Sequence, residues 1–223
     1  MTATRPIAKQ TSNRTRPKSG WLAITGLLLL GTLPVIGGVL RLGEVSSGSA
    51  IDLPWTSIAA IVAHIVSMTV FCLVGAFQFS PALRIRRGWH RTVGRVLIPA
   101  GFVAALASIW LAVFFHGPPD ELALAMVRLV FAVSMIVFLV MAVGAVMRRD
   151  FVAHGAWMTR AYAVAASGGT QALVVALWTI PVGEVDSYGE AWLVAGGFVI
   201  NSVVAELLTR RRSCWRKHGV EFA

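Results

Sequence analysis

The chain alternates between long apolar stretches and short polar ones. Apolar runs of roughly 18 or more residues, long enough to cross a bilayer as a helix, fall at about 21–40, 58–79, 96–115, 122–147, 161–182 and 191–208. None has the period-two alternation of a barrel strand, and backbone amides cannot stay unpaired in hydrocarbon, so the pattern predicts helices. The expected fold is all-α: a polytopic membrane protein of six transmembrane helices. Residues 20–209 are read as one transmembrane domain, 1–19 as a disordered basic cytoplasmic tail and 210–223 as a second basic cytoplasmic tail.

Composition agrees with lipid as the solvent. Of the 223 residues, 57% are hydrophobic and 13% charged, and mean hydropathy is +0.73; soluble domains run nearer half apolar and a quarter charged. The net charge of +10 does not read as nucleic-acid binding, because the bases sit in short clusters between apolar runs; anionic lipid is the expected counter-charge.

Of the 20 Lys and Arg, 18 fall on one side of the predicted spans: Arg5, Lys9, Arg14, Arg16 and Lys18, then Arg84, Arg86, Arg87, Arg91 and Arg95, then Arg148, Arg149 and Arg160, and finally Arg210, Arg211, Arg212, Arg216 and Lys217. The opposite connections hold Glu44, Asp52, Asp120, Glu121, Glu184, Asp186 and Glu190, with Arg41 as their base. The positive-inside rule then puts both termini in the cytoplasm. An acid-free start rich in Ser, Thr and Pro also suits a signal or transit segment, but the apolar run behind it is longer than a signal core, so an uncleaved first helix is expected. Cys72 and Cys214 offer neither a disulfide framework nor zinc-ligand spacing.

An offset of 64 brings His90 onto His154 and His64 onto Arg128. This suggests a tandem two-helix repeat, helices two and three followed by four and five, forming a four-helix bundle that is the functional unit, with helices one and six flanking it. The two copies enter the membrane in the same direction, as in parallel-repeat transporters; the alternative is that basic loops resemble one another.

His64 and Arg128 each lie about seven residues into their runs, roughly 10 Å deep on the outer side at ~1.5 Å per residue. An arginine at that depth costs roughly 3 kcal/mol to hold on insertion scales, so it faces the bundle interior or a partner. No carboxylate falls in the spans at that depth. One reading supplies a bound anionic or carbonyl-bearing ligand; the other has Arg128 snorkelling or bonding carbonyls, with His64 as an interhelical bridge.

At the cytoplasmic edge, His90 and His154 open helices three and five at equal depth. Two neutral imidazoles from different helices are what a six-coordinate haem b requires, with Arg95 and Arg160 as candidate propionate partners and Trp157 beside them. Interfacial anchoring and proton handling are the competing roles. Gln78 and Gln171 read as interhelical bonds or ligand contacts, Gly37-Gly38, Gly168-Gly169 and Gly196-Gly197 as packing, and Pro34 and Pro99 as bends. Phosphate loop, nucleophile elbow, His-Glu-x-x-His and intramembrane carboxylate pair are all absent, which removes support for a hydrolase, a primary pump or a proton-coupled carrier.

With His64, Gln78-Phe79, Trp89-His90-Arg91, Gly94-Arg95, and His154 with Trp157-Met158 and Arg160, the chain resembles the bacterial membrane proteins called domain of unknown function 2306, over about residues 57–182. One departure is Gly155, where the second motif often has Arg after His. The resemblance implies a multi-spanning protein of the bacterial inner membrane and supplies no activity. Three functions are carried forward: binding of a hydrophobic redox cofactor, haem b or quinone, within helices two to five; a non-catalytic scaffold or assembly factor for a membrane complex; and a small-molecule carrier.

Overall fold

A computed structural model describes residues 20–47, 53–80, 83, 87–115 and 121–218, with the backbone alone at 87 and 212–218. Six long helices dominate: α1 (Trp21–Ser46), α2 (Trp55–Phe77), α3 (Arg87–Phe114), α4 (Leu122–Met147), α5 (Phe151–Val182) and α6 (Ser187–His218). All six are long and apolar enough to cross a membrane, and no strand occurs among the described residues. Arg5, Lys9, Arg14, Arg16, Lys18, Asp52, Arg84, Arg86, Asp120 and the final residues 219–223 lie outside the described residues. The C-terminal ends of α2, α4 and α6 and the N-terminal ends of α3 and α5 make up the basic end, with Arg87, Arg91, Arg95, Arg148, Arg149, Arg210 and Arg211 among the described residues. The opposite helix ends make up the acidic end, with Glu44, Glu121, Glu184, Asp186 and Glu190 among the described residues.

Helices outrun the apolar stretches at the basic end. α3 begins at Arg87, α5 at Phe151, and α6 continues to His218. At ~1.5 Å per residue the 32 residues of α5 span about 48 Å, beyond the ~30 Å of hydrocarbon.

The link from α4 to α5 shows how tightly this end is built. Arg149 N–H donates to the Val146 carbonyl and Asp150 N–H to the Ala145 carbonyl, closing α4 with the Schellman pair of bonds. That closure needs a left-handed residue, and Arg149 supplies it at φ 60°, where glycine is the usual occupant. Asp150 then starts α5 at once, its carboxylate accepting from Ala153 N–H at 2.9 Å.

α2, α3, α4 and α5 pack in a ring, each against the next and α5 back against α2. α1 lies against α2 and α5, and α6 against α4 and α5. The buried core, with Phe71, Cys72, Leu97, Met135, Leu139, Tyr162 and Val164, comes from the four ring helices and fills the middle and basic half.

Lipid tails are as apolar as these side chains, so close packing and a few hydrogen bonds must hold the helices together. Gly75 admits the Tyr162 ring, where an added Cβ would come within 2.8 Å of it; Gly101 admits Phe71 in the same way. The Tyr162 hydroxyl donates to the Cys72 carbonyl at 2.8 Å, tying α5 to α2.

In each sequence pair of glycines, one member makes the close approach. Gly38 lies on Ile65, Gly169 on the Leu30 backbone carbonyl, and Gly197 on the Gln171 backbone. Between α5 and α6, Thr170 donates to Asn201 Oδ1 at 3.0 Å and Asn201 Nδ2 to the Ala163 carbonyl at 3.3 Å, while Phe131 and Phe198 stack at 4.0 Å between α4 and α6. Gln171 turns back to Ser167 Oγ in its own helix at 3.1 Å rather than across to another.

Two substitutions test this account by thermal unfolding in detergent, with opposite signs. Gly169→Val forces a side chain into the α1 backbone and is expected to cost 1–3 kcal/mol or more, on the order of other overpacking changes; an unchanged midpoint would contradict the contact. Arg149→Gly relieves the left-handed arginine and is expected to raise stability by about 1 kcal/mol. A lower midpoint for that variant would mean that the arginine side chain is needed where it stands.

Candidate functional site

The ring is closed in its basic half and open in its acidic half. A cavity of about 670 Å³ lies there, lined by Pro34, Gly37, Gly38 and Arg41 of α1, Ile61, His64 and Ile65 of α2, Ser108, Leu111 and Ala112 of α3 with Phe115 just after it, and Leu124, Ala125 and Arg128 of α4 with Glu121 just before it. Its volume is in the range of small-molecule sites, and most of its wall is apolar.

Helix register brings the polar groups together. His64 stands nine residues after the first residue of α2, and Arg128 six after the first of α4. By count these are depths of about 14 and 9 Å along their helices, yet both side chains line the one cavity. The imidazole Nδ1 is 2.9 Å from the Ala104 carbonyl on α3. A carbonyl only accepts, so Nδ1 carries the hydrogen and the neutral ring offers Nε2 as an acceptor.

Arg128 is exposed to the cavity, and among the described residues it makes no hydrogen bond or ion pair. Glu190 and Glu121 lie within its electrostatic reach. Arg41, by contrast, is neutralised by an ion pair with Glu44 on its own helix. The arrangement therefore offers a guanidinium donor, an imidazole acceptor and a rotatable Ser108 hydroxyl on an apolar wall. That set suits an amphiphile with a small polar head.

Two features of this site did not stand out in the sequence. The cavity is lined by α1 to α4, so α1 is part of the site rather than a flank, and α5 contributes no lining residue. The only sign was Gly37-Gly38 followed by Arg41 in the same half of its span as His64. The second is Glu121, a lining carboxylate at the mouth that belongs to the α3–α4 connection by sequence.

At the basic end, His90 and His154 each stand three residues after the first residue of their helices, α3 and α5, which occupy opposite corners of the ring. His154 Nδ1 donates to the Ala142 carbonyl on α4 at 2.9 Å. Gln78 Nε2 reaches the His90 backbone carbonyl at 3.5 Å, joining α2 to α3. Arg95 is exposed.

Arg160 is already engaged: Nε and Nη2 donate to Glu206 Oε2 at 3.1 and 2.7 Å, and Arg210 Nε takes the other oxygen at 2.8 Å. The Trp157 ring lies under the Arg160 guanidinium at 4.7 Å and beside Phe138. Glu206 is a functional-looking acid that the span pattern concealed; its signal was a lone carboxylate in an apolar run, four residues before Arg210. The cluster fastens α5 to α6.

If Glu206 is the partner of Arg160, the variants Arg160→Met and Glu206→Gln are expected to be non-additive in thermal unfolding, the second change costing less in the presence of the first. Additive losses would mean that Arg160 serves some other anion.

Comparison with curated proteins and with solved structures gave no match. The family model described as predicted membrane protein, DUF2306, matches residues 61–209. The match reaches beyond the 57–182 of the motif resemblance and takes in most of α6, so the helix that pairs Glu206 with Arg160 is part of the family's pattern. It covers well over half of the chain and all of α3, α4 and α5. The chain is therefore a member of the DUF2306 family of membrane proteins.

Proposed function

We propose that this protein binds a quinone by its head group in the acidic-end cavity, with Arg128 donating to a ring oxygen and His64 facing the ring. The observation that carries this reading is an unpaired guanidinium, among the described residues, facing an apolar cavity that an imidazole from another helix also lines. An arginine held within a span demands a partner, and a carbonyl-bearing ring among Ile61, Ile65, Leu111 and Leu124 answers both the charge and the apolar wall. The haem alternative at His90 and His154 has less in its favour, because Arg160 already serves Glu206 and so is not available to a propionate. In this reading the protein sits in the bacterial cytoplasmic membrane with its termini inside, and the cavity opens toward the outer face.

Quantifying quinone extracted from protein purified in native lipid tests the proposal. Wild type is expected to retain it near stoichiometrically. Arg128→Leu and His64→Ala are each expected to lower retention about tenfold, equivalent to ~1.4 kcal/mol of binding. Gly37→Leu is the third variant: an added Cβ there meets nothing within 4 Å, so the side chain can grow into the cavity without disturbing α1. A wild-type extract without quinone, or wild-type retention in all three variants, would sink the proposal; a Soret band lost in His90→Ala and His154→Ala would favour haem instead.

A further inference from the structure

A quinone and its quinol differ, at the head group, in hydrogen-bonding direction. The quinone oxygens only accept, whereas each quinol hydroxyl donates and accepts. A site that reads direction can therefore tell the two apart, and the cavity walls have fixed directions. Arg128 only donates. His64 is fixed the other way: Ala104, fully buried on α3, holds the ring hydrogen at Nδ1 through its carbonyl at 2.9 Å. The nitrogen that remains for an occupant, Nε2, is in the neutral ring an acceptor. Ser108, one helical turn beyond Ala104 on α3, has a hydroxyl that turns either way and so does not discriminate.

We infer that the cavity selects the reduced, hydroxyl-bearing form of its ligand, and that His64 is the residue that makes the choice. The inference rests on the proposed quinone site. A quinol places one hydroxyl hydrogen on His64 Nε2 while its oxygens accept from Arg128. A quinone satisfies Arg128 equally well but sets a carbonyl lone pair against the His64 lone pair, or leaves Nε2 without a partner away from water. Where the head group displaces water from the mostly apolar wall, an unmade hydrogen bond lowers affinity more than a made one raises it, so the cost falls on the oxidised form. Glu121, which also lines the cavity, is an acceptor when ionised and biases the site in the same direction.

The test compares binding of decyl-ubiquinol with decyl-ubiquinone, and of the matching naphthoquinol and naphthoquinone, to the full chain in nanodiscs kept free of oxygen. With at least one head group the quinol is expected to bind about tenfold or more tightly than its quinone. His64→Phe keeps a flat ring without the acceptor. It is expected to weaken the quinol and strengthen the quinone, bringing the two affinities together, whereas a merely structural role for His64 would weaken both alike. Equal affinities in wild type, or a tighter quinone, would overturn the inference and leave the binding site standing. No binding of either form with either head group would overturn the site itself. The wild-type comparison decides the matter even if His64→Phe does not fold.

Discussion

Within hydrocarbon the helices of this chain gain little from burying apolar surface against one another, so what orders the bundle is how closely their backbones can come. Three of the closest approaches involve α1 to α2, α1 to α5 and α6 to α5, each at a single glycine with a side chain or backbone of the neighbour seated on it. Inside the ring, Gly75 and Gly101 do the same for Tyr162 and Phe71. These contacts fix α5 as the common neighbour of α1, α2, α4 and α6. Everything else, including the open half of the ring, follows from where that tight packing stops.

Between α1 and α5 it stops near Pro34, while α1 stays close to α2 as far as Gly38. A Cβ added at Gly168 of α5 would meet Pro34 at ordinary contact distance, and beyond Pro34 the bare Gly37 presents no side chain to the space in front of it. The wall of the cavity is thus partly made of absence: a bare stretch of α1 opposite His64 and Arg128. At the basic end the opposite holds. The Schellman bonds close α4 at Arg149, and Arg160, Glu206 and Arg210 are engaged with one another.

Spans and helix type were readable from the chain because they depend on local apolar length, which needs no knowledge of neighbours. That His64 and Arg128 share one half of the bundle was readable for a similar reason, since it depends on position along each helix; the helices place them at unequal depths, about 14 and 9 Å, and register brings both to one cavity. What could not be read was rotation about the helix axis. It decides that α1 rather than α5 closes the cavity, and that Gln171 bonds Ser167 rather than another helix. Nor does a sequence say that Glu206 and Arg160, 46 residues apart, face each other; only the packing of α6 on α5 makes them partners.

The depth of Arg128 has an electrical consequence. The cavity carries polar groups about 9 Å down α4 from the acidic end, in a hydrocarbon layer of ~30 Å. A unit charge passing between the acidic-end water and the level of Arg128 would cross roughly a third of the membrane potential, on the order of 0.7 kcal/mol per 100 mV. Any charge that enters or leaves with a ligand at this site is therefore weighed against the voltage of the membrane as well as against the residues that line the cavity.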